Sequence, residues 1–421
     1  MQPNRPSKLL ILFLCFIGFS YLPAQNQQFQ ENTSHYFHPE ILVGKATEPN
    51  EGFPKTNLQT GFTFGLGRYN LTQERVWAKW LNFPKTGISA SVYDFGNTEK
   101  VGRAYTIMPF MEYDLSNRLH INAGIGLSYT DTKFDPVTNP FNEAITTDLN
   151  WSFRSFFYYD VFKKESIDWR FGLGYVHHSN GHTRLPNQGL NSFLASVSAF
   201  IKTSPEIHQP KPEIEKTSTR QTYFSFKAGL GQNVLSEIFN NKKEVYSVAV
   251  SVGRIHNKTF KFGGGLYYRF YEHYYDYIKS DGELVVSDYP IFKENPFGYA
   301  SAYGLFGTAE LLLSHFGVEF DIGINISKPF YKIDWILNQG YDFVNPQGET
   351  IVVLGELDWY YEIKRTISSR LGLKYYFITN DKSPKHNIFI GAHINANLGQ
   401  ADFTELSLGY VYRLPLKEKT K

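Results

Sequence analysis

The stretch from Gly174 to Asn191 reads Gly-Tyr-Val-His-His-Ser-Asn-Gly-His-Thr-Arg-Leu-Pro-Asn-Gln-Gly-Leu-Asn, and it holds the parts of a serine esterase. His177 and Ser179 are two positions apart, so on a strand both side chains leave the same face, and the imidazole can take the hydroxyl proton once the rotamers suit. A third group must fix the histidine tautomer, and Asn191, which opens the next apolar run across a loop, is the candidate. Asparagine orients an imidazole but stabilises imidazolium less than a carboxylate would. Asn180, Asn187 and the backbone amide of Gly181 are candidate donors to the oxyanion formed when an acyl carbonyl is attacked. His178 has the opposite parity and His182 falls in the loop, so neither takes the base role in this reading.

The elements that carry these residues alternate with period two. In Arg118 to Tyr129 the odd positions are Leu119, Ile121, Ala123, Ile125, Leu127 and Tyr129, and the even ones are Arg118, His120, Asn122, Gly124, Gly126 and Ser128. Trp169, Phe171, Leu173 and Tyr175 alternate in the same way, as do Leu406, Leu408, Tyr410, Tyr412 and Leu414. A soluble sandwich also alternates, so the other face has to decide the solvent. Strands of about ten residues with an apolar face ending in aromatics, a small or polar opposite face, and long loops alternating with short turns describe an antiparallel transmembrane β-barrel. The last apolar run resembles the terminal strand of bacterial outer-membrane proteins, although Pro415 to Lys421 follow where a terminal aromatic is usual.

Composition agrees with an all-β membrane protein. Aromatics make up 17% and charged residues 19% of the 421 residues, which excludes a disordered chain. Mean hydropathy is −0.34, and only one long apolar run is present, which excludes a multi-span helical bundle. A net charge of +2 gives no reason to expect nucleic acid as a partner. Residues 1–24 read as a signal peptide, with Arg5 and Lys8 before the apolar Leu9 to Leu22 and the small Ala24 at its end. Its removal takes away Cys15, the one cysteine, and with it any disulfide, thiol catalysis or Cys-ligated metal. Export to the outer membrane is expected, and no metal or cofactor is.

Strand candidates fall at about 39–47, 59–69, 87–95, 102–114, 118–130, 148–162, 168–179 and 191–203, then at 222–233, 244–255, 259–273, 298–313, 316–327, 366–378, 387–397 and 402–414. This divides the mature chain into a first half at 25–203, a proline-bearing linker at 204–220, a second half at 221–414 and a tail at 415–421. Two barrels of eight strands, or one of about 16, fit the pattern equally. With the N-terminus periplasmic, the long connections 131–147, 180–190, 274–297 and 328–365 lie outside the cell. Residues 71–86, with Trp77, Trp80 and Phe83, form a long connection on the opposite side.

Parity then names a substrate class. His177 and Ser179 continue the series Trp169, Phe171, Leu173, Tyr175, and Asn191 leads Phe193, Ala195, Val197, Ala199 and Ile201, so all three face lipid at the outer end of their strands. Such a set reaches an ester held in the outer leaflet. At these residues the chain resembles the outer-membrane lipid A 3-O-deacylase family (PagL-like, acyloxyacyl hydrolase), in its longer Bacteroidetes-type form. The resemblance rests on His177-x-Ser179-Asn180 and Pro186-Asn187-x-Gly189, with support from Trp77 to Pro84, Asp94 to Asn97, Pro109-Phe110 and, in the second half, His393 to Leu408. It implies a His177 base, a Ser179 nucleophile, Asn180 and Asn187 near the oxyanion, and lipopolysaccharide as substrate. Asn191 departs from it, standing at the family's acidic position 14 residues after the histidine. Calcium-dependent outer-membrane phospholipase A is similar in having His-x-Ser-Asn-Gly followed by that asparagine, and it remains an alternative. So does a non-enzymatic pore or scaffold. In the second half His393 and Asn395 alternate with Ile388, Ile390, Ala392, Ile394 and Ala396, which puts them on the polar wall with no serine beside them. An inactive structural repeat is expected there. Oligomeric state has no signature in the sequence.

Overall fold

The period-two pattern closes into two antiparallel barrels of eight strands, not one of 16. The computed structural model describes residues 35–70, 75–203, 217–344, 348–353 and 358–418; the proposed signal peptide and residues 204–216 of the linker lie outside them. The first barrel consists of β1 (His35–Ala46), β2 (Gln59–Tyr69), β3 (Lys85–Asp94), β4 (Arg103–Asp114), β5 (Leu119–Thr130), β6 (Leu149–Lys163), β7 (Ile167–Ser179) and β8 (Leu190–Lys202). It closes where β1 pairs with β8, from Tyr36 opposite Lys202 to Ala46 opposite Ser192. The second has β9 (Thr219–Asn233), β10 (Lys243–His256), β11 (Phe260–Tyr271), β12 (Ser301–Leu313) and β13 (Phe316–Ser327). A small hairpin of β14 (Tyr341–Val344) and β15 (Thr350–Val353) stands apart in a connection, after which β16 (Ile367–Tyr376), β17 (His386–Asn397) and β18 (Gln400–Arg413) complete the wall against β9. A short β19 (Lys417–Glu418) adds to β9 at Arg220 and Thr219.

Closure pairs every barrel strand on both sides, which satisfies backbone polar groups in a medium without water. The outer walls carry exposed Ile41, Phe62, Ile107, Leu127, Leu173 and Val197 in the first barrel and Phe226, Leu266, Leu305, Ile322, Ile388 and Leu408 in the second. Such continuous apolar surface is untenable in water and suits lipid. Among the described residues no helix is long and apolar enough to cross a membrane.

Eight strands leave an interior only as wide as side chains. In the first barrel, towards the β4–β5 and β6–β7 turns, it holds paired charges: Arg170 on Glu112 at 3.0 Å, Lys85 on Glu112 at 2.8 Å, and His120 between Asp114 and Asp160 at 2.8 and 2.9 Å. A cavity of about 1330 Å³ opens beneath them, lined by Lys85, His120, Asp160 and Arg170. Towards the opposite end the interior turns apolar, with Leu42, Tyr93, Phe156 and Val176 meeting Phe53, Ala144 and Ile145 from the loops. The second barrel is filled by Lys227, Lys261, Arg370 and Lys374 set against Glu310, Glu319, Asp321 and Glu405. Its long-loop end is covered by α2 (Glu272–Lys279), α3 (Glu283–Ser287), α4 (Pro296–Tyr299) and α5 (Tyr331–Leu337), packed through Tyr271, Tyr274, Phe292 and Phe330. In the 71–86 connection a short helix, α1 (Val76–Trp80), buries Trp77 and Ala78 against Leu311 and Leu313 of the second barrel.

Candidate active site

The candidate residues come together on the outer wall of the first barrel, at the long-loop end of β6, β7 and β8. His177 lies directly opposite Asn191 in the β7–β8 pairing, and the Nδ1 atom of His177 is 2.7 Å from the Oδ1 atom of Asn191. The Tyr175 hydroxyl donates to the same oxygen at 2.5 Å. With that oxygen accepting twice, Nδ1 of His177 carries the proton and Nε2 is left bare, the tautomer a general base needs. Ser179 follows on the same wall, opposite Trp151 of β6, and is only 9% exposed. No hydrogen bond joins Ser179 to His177 in this structure; catalytic pairs often tighten only with substrate in place.

Residues 180–189 form a tightly bonded turn behind the serine. The backbone N–H of Asn180 donates to Oδ1 of Asn187 at 3.0 Å, which leaves the Asn187 amide nitrogen without a partner among the described residues. Asn180 points the other way: its Nδ2 donates to the Arg184 carbonyl at 2.7 Å and its Oδ1 accepts from the Thr183 N–H at 3.1 Å. Both polar atoms of its side chain are thus engaged within the turn. Gly181 has φ +66, a left-handed conformation that favours glycine, and its N–H is bonded to no described group.

A second glycine seats the His177 ring. Gly189 has φ +76, and a Cβ there would sit 2.8 Å from Cε1 of His177. The backbone of Gly189 is itself held, since its N–H donates to the Ala144 carbonyl at 2.9 Å and the Gln188 N–H to the Glu143 carbonyl at 3.1 Å. The loop that plugs the barrel thus also sets the wall beside His177. Glu143 is 2% exposed with one unpartnered carboxylate oxygen; burial, and then the Glu237 carboxylate, push its pKa up to about 7.

His178 faces inward, fully buried, with Nδ1 3.1 Å from the Ser128 hydroxyl and its ring against Tyr93 and Phe95. His182 lies in the turn, and burial holds its imidazole below the ordinary value. His393 and Asn395 are inside the second barrel, where His393 meets Arg370 at 2.9 Å and Glu319 at 3.2 Å, and Asn395 meets Arg269 at 3.0 Å. The cluster Glu112, Asp114 and His120 has cation-ligand residue types, but Lys85 and Arg170 already neutralise it. Sequence reading missed Tyr175 and Gly189 as parts of the site. The parity that placed His177 also places Tyr175, whereas the seat at Gly189 has no signature in spacing.

Residues 55–199 match the family model described as lipid A 3-O-deacylase (PagL), about a third of the chain and all of the candidate residues. The second barrel lies outside that match. No curated protein matches the chain. Among solved structures, an outer-membrane channel from Pseudomonas putida F1 is 7% identical, covering 94% of this chain and 100% of its own, with a TM-score of 0.17. A porin mutant of Rh. blastica is 9% identical over 91% of this chain and 99% of its own, TM-score 0.15. OccK5 (OpdH) of Pseudomonas aeruginosa is 8% identical over 92% and 99%, TM-score 0.18. At such scores these likenesses carry no argument about this chain.

Proposed function

We propose that the chain is an outer-membrane serine esterase that removes an ester-linked acyl chain from lipid A, the 3-O-linked one in the reading taken from the family. The observation that carries it is the His177–Asn191 hydrogen bond on the lipid-facing wall beside Ser179, inside the segment that matches the deacylase model. Ser179 Oγ attacks the acyl carbonyl and Nε2 of His177 takes its proton. That proton passes to the departing sugar oxygen, and water, activated by the same nitrogen, releases the fatty acid from the acyl-serine. Asn191 keeps Nδ1 protonated. The Gly181 N–H and the Asn187 amide stabilise the oxyanion, with Asn180 holding their turn in shape. The mechanism calls for no cofactor. In this reading residues 1–24 are the leader, the first barrel is catalytic, the second contributes no reacting group, and the long loops face the cell exterior, where lipopolysaccharide occupies the outer leaflet.

The test is the mass spectrum of lipid A from cells with and without the gene. Loss of one acyl chain with the wild type, and none with Ser179→Ala, is expected. Asn191 at the family's acidic position favours a second reading, the phospholipase. Unchanged lipid A together with lysophospholipid release that stops on calcium chelation would transfer the assignment to it. If Ser179→Ala matched wild type on every lipid tried, a scaffold would remain. A pore has less support, because paired charges cross the interior of both barrels.

A further inference from the structure

The second barrel reaches the first at the turn behind Ser179. Thr404, on the outer face of β18 in the series Leu406, Leu408, Tyr410, donates its hydroxyl to the Gly181 carbonyl at 3.3 Å. It also accepts from Nε1 of Trp151 at 3.2 Å, and Trp151 is the β6 residue opposite Ser179. Asn240, in the β9–β10 connection, grips Leu185 twice: its Oδ1 accepts from the Leu185 N–H at 3.0 Å and its Nδ2 donates to the Leu185 carbonyl at 2.6 Å. The Val234 N–H donates to the His182 carbonyl at 3.2 Å. Every one of these bonds lands on residues 181–185 or on the tryptophan beside the serine.

The fit is close. A Cβ on Gly181 would lie 2.3 Å from the Thr404 hydroxyl, so the turn accommodates the second barrel as well as its own backbone. Thr404 is itself anchored, because Asp402 two residues earlier binds Lys328 at 3.1 Å and the Tyr271 hydroxyl at 2.7 Å under the helical cover. An unbraced turn of this length at a membrane rim would sample many conformations, and misplacement of reacting groups by about 1 Å costs on the order of 100-fold in rate.

We propose that the second barrel is a working part of the esterase, with Thr404 and Asn240 as positioning residues that hold the 180–189 turn, and with it Ser179 and the Gly181 and Asn187 donors, in reactive geometry. This rests on the esterase reading of Ser179 and gives the second barrel a role without any reacting group of its own.

The experiment compares full-length wild type, Thr404→Val, Thr404→Ser and Thr404→Val/Asn240→Leu on purified lipid A in mixed micelles, with Ser179→Ala alongside. The double variant should lose about 10- to 100-fold in kcat with KM changed less than about three-fold, and Thr404→Ser should stay within about two-fold of wild type. A second readout needs no activity: Arg184 is exposed on the turn, and tryptic cleavage after it should speed up about ten-fold in the double variant while the heat-modifiable gel band shows both proteins folded. Wild-type kcat and wild-type cleavage in the double variant would overturn the proposal. So would a kcat loss in Thr404→Ser equal to that in Thr404→Val. If Ser179→Ala retained activity, the esterase reading would fall, and the cleavage rate would still judge whether the second barrel braces the turn.

Discussion

The chain carries a His-x-Ser at the end of β7 and a His-x-Asn within β17, and the two histidines face opposite surroundings. His177 stands on the outer wall with one ring nitrogen on Asn191 and the other free. His393 is fully buried inside its barrel, its nitrogens directed at Arg370 and Glu319. Side-chain type is the same in both places; what differs is parity, a shift of one residue that turns a strand's polar set from lumen to lipid. A histidine inside a filled barrel serves as a link among fixed charges, while one on the rim of the wall can meet a substrate. The wall a histidine occupies therefore decides whether a lipid could reach it.

Removing the imidazole on the outer wall should cost far more turnover than removing the one inside the second barrel. His177→Ala is expected to lower turnover of lipid A by about 1000-fold or more, measured as fatty acid release, because the hydroxyl of Ser179 then has no base. His393→Ala should leave turnover within about two-fold. It should instead cost about 1–3 kcal/mol of stability, read from the temperature at which the folded gel band converts, since Arg370 and Glu319 each lose a buried partner. Equal loss of turnover in both variants would dissolve the contrast between the two barrels.

The next effect concerns the seat of the His177 ring. Gly189→Ala puts a methyl 2.8 Å from Cε1 of His177 at a backbone φ of +76, so kcat should fall by about 10- to 100-fold with the fold retained. Asn191→Asp should act in the opposite sense. A carboxylate would stabilise the imidazolium formed in the transition state, and a rise in kcat of about five-fold is expected. A fall would mean that the wall does not tolerate the added charge.

The smallest effect is a pH dependence at the contact between the barrels. Glu143 is held near pKa 7 against an ordinary 4.5, by burial first and then by Glu237. Between these values the folded state keeps a proton that the opened state releases, so the Glu143 contribution weakens as pH rises through the window and is least favourable above about 7. Tryptic cleavage after Arg184, taken relative to cleavage of an unstructured arginyl peptide at the same pH, should accelerate from about pH 5 to about pH 8 in the wild type and become flat over that range in Glu143→Gln. An unchanged slope would remove Glu143 from the contact.

Much of the candidate site's placement was legible because a strand has an integer period. Knowing that Trp169, Phe171, Leu173 and Tyr175 share a face forces His177 and Ser179 onto it, and the cross-strand partner Asn191 follows from the length of the turn. The same rule put His393 and Asn395 inside the second barrel. It gave no hold on Asn180, whose side chain is bonded within its own turn, because loops have no period from which to read direction. Nor did it reach Thr404 or Asn240, which lie more than 50 positions from the turn they touch.

What the sequence determined by itself is the set of walls: which residues face lipid, which fill the interior, and that an imidazole, a hydroxyl and an amide meet at one rim. These follow from alternation, a local property set by backbone geometry at each pair of residues. Tertiary structure alone decided that the strands close twice, at β8 on β1 and at β18 on β9, and that the second closed wall comes to rest on the turn behind the first barrel's serine. Closure depends on which distant edges find each other and on how many strands the interior side chains can fill. No repeat in the chain records that choice, because the alternation is the same whether the barrel has eight strands or 16.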